Sequence, residues 1–346
     1  MSPLEIKLLS KPTCPVCGDS GETRFDCLVD RLFDVKGQWI LKKCVNHQCE
    51  THWLDPAPHP DYLYKLYEAY STHVTANIAP PLPDTLPVRI QRSYLQHRYG
   101  YDQRLKGYWK RLWWLAYIYP AWKDMQDTRV FYIPYRSNAD FLDVGCGNGN
   151  AMISMRSLGW RVHGIDTDDQ AVIAGKKMGL EIDCGTLDSV KYPDSSFDAI
   201  LLTNVIEHVP NPQETLKECY RILRPGGSIT LITPNGGGLG LVLFGKNWRG
   251  LETPQHLQIF TKNSLATLCS KAGYTQINSF TSPHSDFYIL QQSLTLSKYA
   301  GHVSHETKPP NTLLAKLARR ILSVITGYLN FIFDRSEAIV VTARKS

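Results

Sequence analysis

Apolar positions in the second half of the chain come in short runs separated by helical stripes. Phe141-Leu142-Asp143-Val144 is one such run. It breaks into Gly145-Cys146-Gly147-Asn148-Gly149-Asn150, and a helical pattern follows from Ala151 to Leu158. That order predicts strand, tight turn and helix. The second strand is Trp160 to Asp166, followed by a helix over Asp169 to Met178 and a short strand around Leu180 to Asp183. A fourth strand, Ala199 to Leu202, runs into Thr203-Asn204-Val205-Ile206-Glu207-His208. A helix over Pro212 to Leu223 ends at Pro225-Gly226-Gly227, and a fifth strand covers Ser228 to Thr233. After a glycine run at 236–240 and a long loop, a helix (Lys262 to Ala272), a strand (Gln276 to Thr281) and a last strand (Ala338 to Ala343) are predicted. Strands alternating with helices specify an α/β, doubly wound sheet.

The first half has a different pattern. Cys14-Pro15-Val16-Cys17-Gly18 and Cys44-Val45-Asn46-His47-Gln48-Cys49 flank a stretch, Phe25 to Leu41, that predicts a hairpin turning near Gly37. Two cysteine pairs at such spacing make a zinc-ribbon-like β module with Cys14, Cys17, Cys44 and Cys49 as metal ligands. The second pair is wider than usual, so His47 and His52 are alternatives to Cys49; Cys27 is expected to pack. A helix over Asp61 to Tyr70 and a proline-rich linker over 77–87 follow. Ile90 to about Trp122 reads as helical and rich in aromatic and basic residues, a cap with its aromatics turned inward. Near the C-terminus Leu313, Leu314, Leu317, Ile321, Val324, Ile325, Tyr328, Leu329 and Ile332 recur at helical spacing beside Lys316, Arg319 and Arg320. That pattern packs on a domain or lies on an anionic membrane surface. The expected organisation is a ribbon module at 1–60, a linker and cap at 61–136, and an α/β domain at 137–346 carrying a helical insertion at about 283–335.

Composition narrows the setting. The 346 residues hold ample core for two domains. The net charge is +6, from 38 basic and 32 acidic residues, which does not demand nucleic acid. Nine cysteines, an odd number, without a visible secretory leader favour a reducing cytoplasm and thiols that are free or metal-bound. No uncharged apolar run reaches membrane-spanning length. The expected place is therefore the cytoplasm, with peripheral contact at the inner membrane surface through 313–333.

The strand-and-turn set resembles the class I S-adenosylmethionine-dependent methyltransferases. The matching pieces are DVGCGNG (143–149), GID (164–166), PDSSFDAILLTNVIEHV (193–209), LRPGG (223–227) and TPN (233–235). The stretch from Trp248 to Thr261 looks like a segment of a bacterial subgroup that carries a cysteine-rich N-terminus. The resemblance implies a Rossmann-like seven-stranded sheet. It implies that Asp143, Gly145, Cys146, Gly147, Gly149, Asp166, Thr186, Leu187 and Asn204 line the S-adenosyl-L-methionine site, with Asp166 on the ribose hydroxyls and Thr186 and Leu187 at the adenine. It puts His208 and His256 forward as general bases for a hydroxyl acceptor. Quinone O-methyltransferases share the Glu207-His208 pair; there an acidic residue three before the Glu helps hold a metal. Here that position is Asn204, so the metal is not carried over. The expected activity is methyl transfer, at oxygen, to a small-molecule, glycan-precursor or lipid-linked acceptor. The alternatives are an RNA or protein methyltransferase read by the ribbon and basic helices, and a non-catalytic binding protein. No nucleic-acid motif accompanies the basic helices.

Overall fold

A computed structural model describes residues 6–67, 84–101, 107–299, 321, 324, 325, 328, 329 and 332–346. The N-terminal module holds β1 (Leu8–Leu9), β2 (Gly21–Leu28), β3 (Trp39–Cys44), β4 (His52–Leu54) and β5 (Ala57–Pro58). β1 pairs with β5, while β2, β3 and β4 form an antiparallel meander. The predicted helix after Asp61 is instead a 3₁₀ turn, Pro60–Tyr67; residues 68–70 and the linker residues 77–83 lie outside the described ones.

The single helical cap expected over 90–122 is broken into pieces. α1 (Leu86–Tyr99) carries Pro87 in its first turn and stops at Gly100, which takes the left-handed conformation that caps a helix end. A 3₁₀ segment, Gly107–Ile118, follows, and Pro120 opens α2 (Pro120–Arg129). Its aromatics do not all turn inward. Tyr94, Tyr99 and Tyr101 are buried, but Tyr108 (65%) and Trp114 (52%) face solvent.

Beyond this lie β6 (Asp140–Val144), α3 (Asn150–Ser157), β7 (Arg161–Asp166), α4 (Asp169–Lys177), β8 (Glu181–Cys184), α5 (Leu187–Val190), β9 (Phe197–Thr203), α6 (Pro212–Ile222) and β10 (Leu223–Pro234). Then come α7 (Leu239–Phe244), β11 (Gln258–Ile259), α8 (Lys262–Lys271), β12 (Thr275–Ser282), α9 (Asp286–Lys298) and β13 (Ala338–Arg344). Seven strands form one sheet in the order β12-β13-β10-β9-β6-β7-β8. β6 to β10 are parallel, and β13 runs antiparallel to both neighbours. Leu142, Ile200, Leu201, Leu231 and Val341 are fully buried, as expected for strands covered on both faces. Each such side chain contributes about 1.5–3 kcal/mol.

Two details depart from the sequence pattern. The glycine run at 236–240 is packed rather than loose. A Cβ on Gly240 would lie 2.2 Å from Glu337 Oε2 and 2.5 Å from Trp248 Nε1, so only glycine lets α7 approach that buried pair. Cys27 is exposed, not packed, in a backbone with φ +50°. Among the described residues no helix is long and apolar enough to cross a membrane. Of the apolar stripe, Ile321, Val324, Ile325, Tyr328, Leu329 and Ile332 are described and exposed; Leu313, Leu314, Leu317 and the basic Lys316, Arg319 and Arg320 lie outside the described residues.

Candidate active site and cysteine centre

Strand order reverses at β6, which has β7 on one side and β9 on the other. A crevice opens at the carboxyl ends of strands at such a point, and ligands bind there. Asp143 is buried at the end of β6. The amides of Gly145 and Cys146 both donate to the Ile165 carbonyl, which folds the turn against β7. Gly145, Gly147 and Gly149 all have positive φ (+69°, +49° and +76°), and Gly149 is the N-cap of α3. Gly147 has open space where its Cβ would be, while Gly145 lies against Val205. Asp166, at the end of β7, accepts from the Gly147 amide at 2.7 Å and the Asp168 amide at 2.9 Å. Burial, and then Asp166, push the Asp143 carboxyl up to about 8. Thr186 caps α5 through Ser189, and Leu187 is buried behind it. Asn204 follows β9 with φ +52°. The structure thus brings the glycine turn, Asp143, Asp166 and Asn204 to one edge of the sheet. The open glycine turn and the two carboxyls fit a ligand that carries positive charge and ribose hydroxyls.

Next to this crevice lies a buried polar cluster. Ligand atoms of Glu207, His208 and His256 all lie within 4.8 Å of one another. The two imidazole rings are 4.7 Å apart, edge to face. His256 Nδ1 is 2.8 Å from the Gly250 carbonyl. His208 Nδ1 is 3.0 Å from the Gln255 carbonyl and 2.9 Å from the Tyr67 hydroxyl. A carbonyl only accepts, so each Nδ1 carries the proton and each Nε2 keeps a lone pair. Burial lowers the pKa of both rings, that of His256 to about 3. Glu207 is fully buried with neither carboxyl oxygen hydrogen-bonded, and burial pushes it up to about 8. Against burial, the Arg249 guanidinium paired with it holds Glu252 down to about 2. Sequence alone offered His208 and His256 separately. Their meeting needs the loop from Trp248 to Phe260 to fold back onto β9, and Glu207 was not among the residues expected to act.

The four cysteines converge as their spacing predicts. Cys14 and Cys49 sulfurs are 3.7 Å apart, and those of Cys17 and Cys44 are 3.4 Å apart. A tetrahedral zinc with bonds of about 2.3 Å sets its sulfurs about 3.8 Å apart. The set therefore fits one such ion. Neither alternative histidine belongs to the group: His52 is buried on β4, and His47 sits in the turn before Cys49.

Residues 120–279 match a family model described as a methyltransferase domain. That match, under half of the chain, agrees with the resemblance of its motifs to the class I S-adenosylmethionine-dependent methyltransferases. A ubiquinone biosynthesis O-methyltransferase of Parvibaculum lavamentivorans is 35% identical over 129 residues, which is 31% of this chain and 51% of that protein. A probable S-adenosylmethionine-dependent methyltransferase of Mycolicibacterium smegmatis is 35% identical over 98 residues, 28% of this chain and 38% of that one. The chain thus spans about half or less of the length of these curated relatives. Among solved structures, a SAM-dependent methyltransferase from Archaeoglobus fulgidus overlays with TM-score 0.44 at 17% identity, covering 69% of this chain and 100% of that one.

Proposed function

We propose that the chain transfers a methyl group from S-adenosyl-L-methionine to a hydroxyl of a small-molecule, glycan-precursor or lipid-linked acceptor. The observation that carries this reading is the buried Glu207–His208–His256 cluster beside the glycine turn, with two imidazole lone pairs among its groups. The cofactor supplies a methyl group already activated on a sulfonium. The protein then has to align the acceptor and exclude water. Asp166 is set to take ribose hydroxyls, and Asp143 and Asn204 to face the charged end. His208 or His256 is set to accept a proton from the acceptor hydroxyl. The similarity to ubiquinone biosynthesis O-methyltransferases supports oxygen as the methylated atom.

The orphaned Glu207 carboxyl favours a second reading of the same pocket. Two histidines with Nδ1 tied to carbonyls and one carboxyl form a three-ligand divalent-metal set. Such a cation would hold the acceptor oxygen and lower its pKa. His256 takes the third place that Asn204 leaves empty.

The exposed faces of Ile325, Ile332 and Phe333 support contact with a lipid surface, which suits a lipid-linked acceptor in the cytoplasmic leaflet. The test is incubation with methyl-labelled cofactor and separated cell fractions, with metal content measured on the same protein. Label in a phenol, glycan or lipid fraction supports the proposal, and label only in RNA or protein favours recognition by the ribbon. No cofactor binding by a folded protein leaves the non-catalytic reading. Two metals per chain support the cation, and one supports a histidine base.

A further inference from the structure

The cysteine module and the acceptor pocket share one sheet. β11, the strand just after His256, is the fourth strand of the ribbon sheet, in the order β11-β4-β3-β2. Gln258 pairs with Trp53 and Ile259 with His52, and the Leu54 amide donates to the Leu257 carbonyl at 3.0 Å. Both cysteine knuckles are also tied to α8. Thr261 Oγ1 donates to the Cys49 carbonyl at 2.7 Å, and Lys271 Nζ donates to the Val16 carbonyl at 2.6 Å. Cys14, Cys44, Cys49 and Trp53 pack in one core with Phe260, Leu265 and Leu268.

From β11 the bonds pass directly to the pocket. The Leu257 amide donates to the Glu207 carbonyl at 2.9 Å. Gln258 is buried, and its Nε2 donates to the carbonyls of Val209 (2.7 Å), Ile206 (3.1 Å) and Glu207 (3.3 Å). One amide side chain thus fixes the whole 206–209 segment that presents Glu207 and His208. Lys11 adds a further tie, its Nζ donating to the Pro210 carbonyl at 2.8 Å. The cofactor turn stands on other bonds, those of Gly145, Cys146 and Gly147 to Ile165 and Asp166.

We propose that the four-cysteine module is the structural wall of the acceptor half of the site, and that Gln258 is the positioning residue that couples it to Glu207 and His208. This rests on reading the Glu207–His208–His256 cluster as the acceptor half. Metal in the knuckles fixes β4, β4 fixes β11, and β11 fixes the pocket. The ribbon is then a part of the catalytic unit, not a separate recognition module.

The test uses the zinc-loaded full chain and two readouts that need no acceptor. Binding of S-adenosylhomocysteine reports the cofactor half, and ring NMR signals of His208 and His256 report the acceptor half. Gln258→Leu, which keeps the β11 backbone pairs, should retain its knuckle metal and bind S-adenosylhomocysteine within about twofold of wild type, as independent sites do. It should shift the His208 ring signals, and Gln258→Asn, which keeps an amide, should restore part of the shift. Chelating the knuckle metal should broaden or move both histidine signals while S-adenosylhomocysteine still binds. Histidine signals unchanged in Gln258→Leu and in chelated protein would overturn the proposal. So would loss of S-adenosylhomocysteine binding in step with the metal, because the ribbon would then hold the whole fold. If zinc-loaded wild type does not bind S-adenosylhomocysteine, the functional reading fails instead.

Discussion

Gly145 and Gly147 lie two residues apart in the same turn, yet alanine should fail at each for a different reason. At Gly145, φ is +69° and a Cβ would sit 2.5 Å from Val205 Cγ2. Left-handed backbone costs a residue with a Cβ about 1–2 kcal/mol. Val205 is β-branched and stiff, so it yields little, and overpacking adds about 1–3 kcal/mol. Gly145→Ala should therefore lose about 2–5 kcal/mol of stability. At Gly147, φ is +49° and no atom lies within 4 Å of the Cβ position. Only the backbone term of about 1–2 kcal/mol remains. The alanine keeps its N–H for Asp166, but its methyl enters the open space that the proposed function gives to the cofactor. Gly147→Ala should stay folded and lose at least about tenfold in S-adenosylhomocysteine affinity, a little over 1 kcal/mol. Urea unfolding and calorimetry on both variants separate the effects. Wild-type affinity in Gly147→Ala would refute the placement of the cofactor. Wild-type stability in Gly145→Ala would refute the packing of Val205 on the turn.

Three further outcomes are expected. Asp143, raised to about 8, should keep its proton at neutral pH in cofactor-free protein; a cationic cofactor should draw that proton off. Binding should therefore release a proton and tighten as pH rises toward 8, seen by calorimetry in buffers of different ionisation enthalpy and absent in Asp143→Asn. The stability sign is the reverse: a carboxyl raised in the folded state loses stability as pH climbs from about 4 to about 8, so the cofactor-free protein should weaken over that window and Asp143→Asn should flatten the slope. Cobalt in the knuckles should give thiolate-to-metal absorption that Cys49→Ala weakens and His52→Ala leaves, read by ultraviolet–visible titration. Trp248 Nε1 donates to buried Glu337 at 2.6 Å, so Trp248→Phe should cost about 1–3 kcal/mol in denaturant unfolding, and Glu337→Gln in that background should recover part of it.

The sequence determined the elements and their order. Apolar runs ending at Asp143 and Asp166, and glycines where the backbone needs positive φ, are local signals, and the strands fall within a few residues of their predicted places. The cysteine pairs were legible for the same reason, since ligand spacing is a property of a short stretch. Local pattern over-extended the 90–122 cap, because Gly100 and Pro120 break a run whose apolar content continues. Tertiary structure alone decided the pocket. His256 lies 48 positions after His208, and nothing near either residue encodes their meeting. It follows from β11 adding to the ribbon sheet and from Gln258 satisfying three carbonyls across the chain. Glu207 escaped notice because an unpartnered buried carboxyl is a fact of surroundings, and a linear sequence does not carry its surroundings.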